Sequence, residues 1–244
     1  MKNPFLSIVI PLYNEERSVK NLSKIYKFLN SLNFNYEVII VNDGSIDNTL
    51  NKLINLSKKF TFKLISHKKN GGKGAAVQTG MLAAKGNYRL FTDIDLSTPI
   101  EEFIKFIPFL RKYDLIIGSR RMKESLVKHR QSIARESLGR GFTILSRLFL
   151  NTKISDFTCG FKCFSKETSE KIFSLQKIKR WGFDSEILFI ARKLKLNIME
   201  IPIIWINNPD TKVKFPRDII NSALDLCKIR YYSLIKKYEK NNVL

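Results

Sequence analysis

The sequence predicts an α/β fold with a mostly parallel central sheet flanked by helices. Two observations carry this. Apolar runs of strand length alternate with segments of helical periodicity through the first half of the chain. Three of those runs end in polar groups, at Asn14-Glu15, Asn42-Asp43 and Asp93-Asp95, which would fall along one rim of the sheet. The second half is less regular, and its helices read as amphipathic.

The first strand is Leu6-Ser-Ile-Val-Ile-Pro-Leu12, apolar enough to be buried on both faces. A helix follows Glu16, with Val19, Leu22, Ile25, Tyr26 and Leu29 at helical spacing. Tyr36 to Val41 is the second strand, ending in Asn42-Asp-Gly-Ser45. Asp47 is a good N-cap for a helix carrying Leu50, Leu53, Ile54 and Leu56. Phe62 to Ser66 is the third strand. Asn70-Gly-Gly-Lys-Gly74 opens a helix through Ala84, with Gly86 as its stop signal. The fourth strand begins at Tyr88 and carries Asp93 and Asp95. A helix from about Pro99 to Leu110 leads to a fifth strand, Asp114 to Gly118. Next come a basic loop, Ser119 to Arg130, and a helix, Gln131 to Leu150. The segment 156–164 reads as extended, Phe183 to Lys193 as helical, and Ile198 to Ile206 as a strand. A last helix runs from about Arg217 to Tyr238. No internal repeat, low-complexity linker or domain boundary stands out.

Of 244 residues, 44% are hydrophobic and 27% charged, which is globular rather than disordered. The net charge is +21, from 43 Lys plus Arg against 22 Asp plus Glu. Such an excess attracts nucleic acid, phosphorylated ligands or an anionic membrane face. A lysine-rich compositional bias is a second source, since Asn and Ile are also abundant. Cys159, Cys163 and Cys227 lack paired spacing and further zinc ligands, so reduced thiols in a cytosolic setting are expected. The first apolar run is too short for a signal segment, and none approaches the roughly 18 to 20 residues that cross a bilayer. The expectation is a soluble or peripheral protein. The 131–150 helix could face a core or rest on a membrane. Its Phe142 to Leu150 half is apolar on most sides, which favours the membrane.

In an extended chain positions i and i+2 share a face, so Asp93 and Asp95 would converge just past the strand end. Adjacent acids raise each other's pKa unless a cation neutralises them. Hard divalent ions such as Mg²⁺ or Mn²⁺ prefer oxygen ligands and bridge to phosphates. The pair therefore reads as a metal and diphosphate site. It also reads as an acidic turn before a helix, with Ser97 or Thr98 capping and Pro99 at the first helical position. Gly71-Gly-Lys-Gly74 has neither the P-loop nor the dinucleotide-binding spacing. Its glycines still let a backbone approach a ligand, and Lys73 opens a helix where an anion would sit.

The ordered set is more specific than any one motif. It comprises Ser7-Ile-Val-Ile-Pro-Leu-Tyr-Asn-Glu-Glu16, Val41-Asn-Asp-Gly-Ser45, Gly72-Lys-Gly-Ala-Ala76, Asp93-Ile-Asp-Leu-Ser-Thr-Pro99 and Gly118-Ser-Arg120. Asp156-Phe-Thr-Cys-Gly-Phe-Lys162 and Arg180-Trp-Gly-Phe-Asp-Ser-Glu186 follow. From about Ser7 to Lys214 the chain resembles family-2 glycosyltransferases with the GT-A nucleotide-diphospho-sugar-binding fold. Within them it looks most like the dolichyl-phosphate β-glucosyltransferase and mannosyltransferase group, the last two motifs pointing to the glucosyl branch. The resemblance implies one domain, 1–244. About 5–120 would bind the nucleotide sugar and about 121–215 the acceptor, with 216–244 a basic C-terminal helix.

The resemblance also implies roles. Pro11, Tyr13 and Glu15 would line the base and ribose pocket, and Asp43 would hydrogen-bond base or ribose beside Lys73 and Gly74. Asp93 would face ribose or donor sugar, and Asp95 would ligate the divalent metal, Mg²⁺ or Mn²⁺. Ile94, large for its place between the acids, would point away from them. Arg120 and Arg130 would meet donor or acceptor phosphate. Asp184 and Glu186 would border the acceptor, and Lys212 would close over the donor phosphates. Each has a plainer alternative: packing for Tyr13, a solvated loop for the arginines, and a helix N-terminus for Asp184 and Glu186.

The implied reaction moves a hexose, glucose from UDP-glucose, to a polyprenyl or dolichyl phosphate with inversion, at the cytoplasmic face of a membrane. Eukaryotic glucosyl members carry an N-terminal anchor. None is read here, so membrane contact is expected from the amphipathic helices and basic surface. A phosphate acceptor needs little deprotonation, whereas a sugar hydroxyl would require Asp184 or Glu186 as base. GDP-mannose as donor or a soluble glycan as acceptor is the alternative. Nucleic-acid binding, suggested by the charge alone, is remote: no binding module or aromatic-interleaved basic cluster is visible.

Overall fold

The computed structural model describes residues 3–128, 133–208 and 217–239. The first half contains β1 (Leu6–Leu12), α1 (Leu22–Leu29), β2 (Tyr36–Asn42), α2 (Thr49–Leu56), β3 (Lys63–Ser66), α3 (Lys73–Ala83), β4 (Tyr88–Thr92) and β5 (Leu115–Ser119). The second contains β6 (Leu126–Lys128), α4 (Ile133–Leu150), β7 (Phe161–Ser165), α5 (Lys166–Leu175), α6 (Phe183–Lys193), β8 (Ile198–Pro202), β9 (Ile204–Ile206) and α7 (Arg217–Leu234). Seven strands form one sheet in the order β3-β2-β1-β4-β7-β5-β8, parallel except for β7. β6 and β9 form a separate parallel pair. This is the α/β class that the alternation of runs predicts.

Helices cover both faces of the sheet, so the central strands are apolar on both sides. Along β1, Leu6, Ile8, Ile10 and Leu12 pack with Leu22, Ile25 and Leu29 of α1, while Val9 packs with Val77 and Met81 of α3. The Val9 cluster also holds Phe183 and Ile187 of α6 and Leu226 and Ile229 of α7. The last described helix thus shares a core with the first strand.

The chain runs outward from β1 to β2 and β3, then returns to lay β4 on the other side of β1. That reversal is the switch point where open α/β sheets bind ligands, beyond the strands' C-terminal ends. The polar strand ends read from the sequence gather there.

Several elements differ from expectation. The helix expected from Pro99 to Leu110 is two short 3-10 turns, Ile100–Lys105 and Ile107–Phe109. Pro108 lacks the N–H that an α-helix would use there, and its ring crowds the preceding turn. The strand expected from Ile198 to Ile206 breaks at Ile203 into β8 and β9, which belong to different sheets. The extended segment at 156–164 pairs only from Phe161 onward. Helix α5, capped by Ser165 on the Thr168 N–H, has no counterpart in the sequence reading. Cys159 and Cys163 are buried free thiols, and burial pushes the Cys159 thiol up to about 11; Cys227 is exposed.

Candidate active site

The loops after β1 and β2 are laced together. The Asn14 N–H donates to Ser45 Oγ (2.9 Å), the Glu15 N–H to Thr49 Oγ1 (2.8 Å), and the Ile46 N–H to Asn14 Oδ1 (2.9 Å). This sets buried Pro11 and half-buried Tyr13 and Glu15 along the rim. Asp43 is buried beside them, and its carboxylate is engaged. It accepts the N–H groups of Gly71 (2.9 Å) and Gly72 (2.8 Å) and lies 2.7 Å from His67 Nδ1. A φ of 101° at Gly72 lets successive N–H groups converge on one carboxylate. Asp43 thereby holds the glycine turn that carries Lys73 and Gly74.

β4 ends at Thr92, so Asp93 and Asp95 are not same-face positions of a strand. They sit on a turn closed by the Leu96 N–H on the Asp93 carbonyl (3.2 Å), with Leu96 at φ 53°. Ile94 is buried in the core while both acids remain part-exposed, as the sequence reading required. Lys73 Nζ lies 2.7 Å from Asp93 Oδ1 and 2.8 Å from Oδ2. Burial disfavours the Lys73 ammonium, yet Asp93, Asp184 and Asp95 together hold its pKa above the ordinary value. Asp95 accepts from the Ser97 N–H and hydroxyl, both at 2.9 Å. Burial first, then Asp93, raise its carboxyl above the usual range. Gly160 closes the other side: a Cβ there would stand 2.3 Å from Asp93 Oδ2.

The acidic pair fits a divalent cation. It offers hard oxygen donors, and a cation would offset both the burial and the Asp93 repulsion that raise Asp95. Among the described residues no group of three or more His, Cys, Asp or Glu surrounds a cation position. Water and diphosphate oxygens would complete the shell, which suits Mg²⁺ or Mn²⁺.

Beyond Lys73 a cavity of about 690 Å³ opens between the β5–β6 segment, α4 and the first turns of α7. One end has Lys73, Arg120, Arg121 and Asp184; elsewhere Met122, Leu126, Leu138, Phe142 and Ile219 form apolar wall, with Glu136, Arg140 and Asp218 charged on the α4 and α7 side. Both tryptophans of the chain line it. Trp181 lies 5.7 Å from Lys73 Nζ, and Trp205 lies 5.3 Å from the Arg120 guanidinium. The buried Asp156 carboxylate grips Arg120. Arg121 donates to Thr143 Oγ1 (2.5 Å), and no carboxylate among the described residues lies within ion-pair distance of it. Burial, with Arg120, Arg140 and Arg147 nearby, lowers its pKa.

The acids of α6 part company. Asp184 lines the cavity and takes a hydrogen bond from buried Lys162, which also donates to the carbonyls of Phe157 and Cys159. Burial pushes the Asp184 carboxyl up, with Lys162 and Lys73 opposing. Glu186 does not reach the cavity wall. Its fully buried carboxylate accepts the N–H groups of Lys177 and Ile178 and the Tyr238 hydroxyl. Arg130 and Lys212 lie outside the described residues. Asp156, Lys162, Arg121 and the two tryptophans carry no role in the sequence reading. Only the presence of Asp156, Lys162 and Trp181 inside matched motifs marked them.

A family model, Glycosyl transferase family 2, matches residues 7–173. The dolichyl-phosphate beta-glucosyltransferase of Dictyostelium discoideum is 34% identical over 96% of this chain and 77% of its own length. That of Saccharomyces cerevisiae is 34% identical over 97% and 77%. Among solved structures, glucosyl-3-phosphoglycerate synthase from Mycobacterium tuberculosis, in complex with Mn²⁺, uridine-diphosphate-glucose and phosphoglyceric acid, matches with a TM-score of 0.66. It covers 92% of this chain and 80% of that chain at 20% identity, a likeness of fold. The chain therefore belongs to glycosyl transferase family 2 and is a hexosyltransferase.

Proposed function

We propose that the enzyme moves glucose from UDP-glucose to dolichyl or another polyprenyl phosphate, with inversion, at the cytoplasmic face of a membrane. The observation that carries this reading is the two-sided character of the cavity. It is cationic beside Lys73, Arg120 and Arg121, and Met122, Leu126, Leu138, Phe142 and Ile219 give it an apolar wall that the charged Glu136, Arg140 and Asp218 of α4 and α7 interrupt, which suits a phosphate joined to a hydrocarbon chain. The printed names of the relatives supply the acceptor and the sugar, and the nucleotide follows the donor bound in the fold neighbour. Residues from about 5 to 120 serve the donor and those from about 121 to 215 the acceptor, within a single domain that ends in the basic helix.

Pro11, Tyr13 and Glu15 border the base and ribose, and Asp43 keeps the glycine turn in place beneath them. Asp95 with Asp93 would hold the divalent ion, which when bound stabilises charge on the departing diphosphate. Lys73, already paired with Asp93, adds a fixed positive charge at the same place. A phosphate monoester has its second pKa near about 6, so the acceptor is largely a dianion at neutral pH. Its attack depends on orientation more than on proton removal. The acids agree: Glu186 is sealed in the core, and Asp184 already faces the Lys162 ammonium. Arg120 is held by Asp156 through Nε and Nη2, and Arg121, which pairs with no carboxylate among the described residues, is the arginine better placed to meet the acceptor phosphate.

A transfer assay tests this by pairing UDP-glucose and GDP-mannose in turn with a polyprenyl phosphate, with and without Mg²⁺ or Mn²⁺. Glucose should appear on the lipid phosphate only with UDP-glucose and a divalent ion. Mannose transfer, or glucose passing only to a soluble glycan, would overturn the assignment.

A further inference from the structure

Lys162 is fully buried and lies off the cavity wall. An ammonium is costly to bury, and a methionine would fill much the same space without that cost. What the charge adds is a set of three N–H donors. Lys162 spends them on the carbonyls of Phe157 (3.0 Å) and Cys159 (2.6 Å) and on the Asp184 carboxylate. Its stem is held by β7, where Lys162 stands between Phe91 of β4 and Ile117 of β5. The ammonium is therefore a fixed point and not a mobile arm.

The carbonyls it holds belong to the segment 156–160, which reaches both halves of the site. The odd positions anchor the segment. Phe157 packs in the cluster of Val9 and α3, and Cys159 in the cluster of α1. The even positions face the site. Asp156 and Thr158 hold Arg120 at the cavity, and Gly160 stands against Asp93, with Lys73 beyond it. Glu200 fixes the start of the segment by accepting the Ser155 hydroxyl and the N–H groups of Ser155 and Asp156. Lys162 fixes its middle, and through Asp184 joins it to the cavity wall contributed by α6. One buried ammonium thus links the groups that would meet the acceptor with the acidic pair that would meet the donor.

We propose that Lys162 is a positioning residue that sets the donor and acceptor halves of the site against each other. By tying the segment 156–160 and Asp184 to one point, it holds Arg120 and the Asp93–Lys73 pair at a constant separation. Transfer between two bound reactants depends on that separation, whereas the binding of either one alone does not. This deepens the lipid-phosphate reading and rests on it for the roles of the two ends. The ammonium itself contacts protein groups, so its effect passes through the groups that it orients.

The test compares the full chain with Lys162→Met, which removes the donors and keeps most of the stem, and with Lys162→Gln, whose amide retains two N–H donors. Transfer is assayed with UDP-glucose, Mn²⁺ and a short polyprenyl phosphate, and urea midpoints give the folded fraction. Lys162→Met should lower kcat per folded molecule by about 100-fold, while the KM for each substrate stays within about threefold. Amide hydrogen exchange across 156–160 should quicken by about tenfold or more. Lys162→Gln should fall between the two, and it carries the same comparison if Lys162→Met does not fold. A merely structural loss would leave kcat per folded molecule intact. Unchanged kcat, or unchanged exchange across 156–160, overturns the proposal. A KM that rises in step with the fall in kcat also overturns it, by assigning Lys162 to one substrate alone. Failure of the wild type on polyprenyl phosphate would instead count against the lipid-phosphate reading, and hydrogen exchange would still judge whether Lys162 holds the segment.

Discussion

Arg120 and Asp156 meet as two forks. Arg120 Nε donates to Asp156 Oδ2 and Nη2 to Oδ1, both at 2.7 Å, and the Arg120 backbone N–H reaches Oδ2 at 3.0 Å. Bidentate pairing of this kind fixes orientation as well as distance. It ties the end of β5 to the segment before β7 and aims the guanidinium at the cavity.

The first prediction concerns acid stability. Burial alone would raise the Asp156 carboxyl, but Arg120 holds it well below the usual carboxylate range. A depressed folded-state pKa contributes stability that is present above the unfolded value, about 4, and lost as pH falls toward the folded value. Wild-type stability should therefore drop between about pH 4 and pH 2. Asp156→Asn should cost stability at pH 7, up to the ~3 to 5 kcal/mol of a broken buried pair, and lose less on acidification. Urea midpoints at pH 6 and pH 3 for both chains measure the difference. Parallel curves would show that the pair has no part in acid unfolding.

The second concerns Gly160. A Cβ at this position would come 2.3 Å from Asp93 Oδ2 and 3.3 Å from Lys73 Nζ. Both are side-chain ends that hold each other, so relief moves the Asp93–Lys73 pair together. Gly160→Ala should displace the Asp93 carboxylate by the order of an ångström, for which about 100-fold in kcat is reasonable. The cost in stability should stay near 1 to 3 kcal/mol, as for other overpacked sites. Unchanged turnover in a folded Gly160→Ala protein would remove Asp93 and Lys73 from the reaction.

The third separates the two acids of α6. Glu186 accepts only donors: two backbone N–H groups and the Tyr238 hydroxyl. In Glu186→Gln the NH₂ fits only toward Tyr238, whose hydroxyl must then accept instead of donate, and it crowds the Lys177 N–H; with the carboxylate charge also lost, the cost is about 1 to 3 kcal/mol. Thermal stability should fall while kcat per folded molecule holds. Asp184→Asn, on the cavity wall, should do the reverse and depress kcat. If Glu186→Gln lowers kcat without lowering stability, the structural role given to Glu186 is wrong.

The rim of the sheet was legible because its information is local. The ends of β1, β2 and β4 are each written as an apolar run followed at once by polar residues, and chain alternation alone places those ends together. The pairs that complete the site are not local. Asp156 finds Arg120 across 36 positions, and Lys162 finds Asp184 across 22. They meet because β7 inserts antiparallel between β4 and β5, a pairing that hydrophobic periodicity does not encode. Asp95 was legible both as a candidate ligand and as part of an acidic turn; what failed was the same-face strand geometry, because β4 ends at Thr92 and Leu96 adopts φ 53° without a glycine to announce it. For Glu186 the sequence suggested an acceptor contact or a helix N-terminus, and only the arrival of Tyr238 from the end of the described chain turns it into a core anchor.

The last prediction tests which arginine reads the acceptor. Arg120 is held through Nε and Nη2 by Asp156 and Thr158, whereas Arg121 has no such carboxylate partner among the described residues and lines the same cavity, where burial first and then the neighbouring arginines lower its pKa. A dianion beside Arg121 would relieve that crowding, and a charge-assisted hydrogen bond contributes about 1.5 to 3 kcal/mol, or roughly 10- to 100-fold in binding. Arg121→Gln should therefore raise the KM for polyprenyl phosphate by about that factor and leave the KM for the nucleotide sugar unchanged. Its bond to Thr143 also steadies α4, so a merely structural loss must be told apart. Arg121→Lys does this: it keeps the charge but not the planar fork, and should restore part of the acceptor affinity. A matched rise in the donor KM would move Arg121 to the diphosphate instead. No change in either KM would return the acceptor phosphate to Arg120.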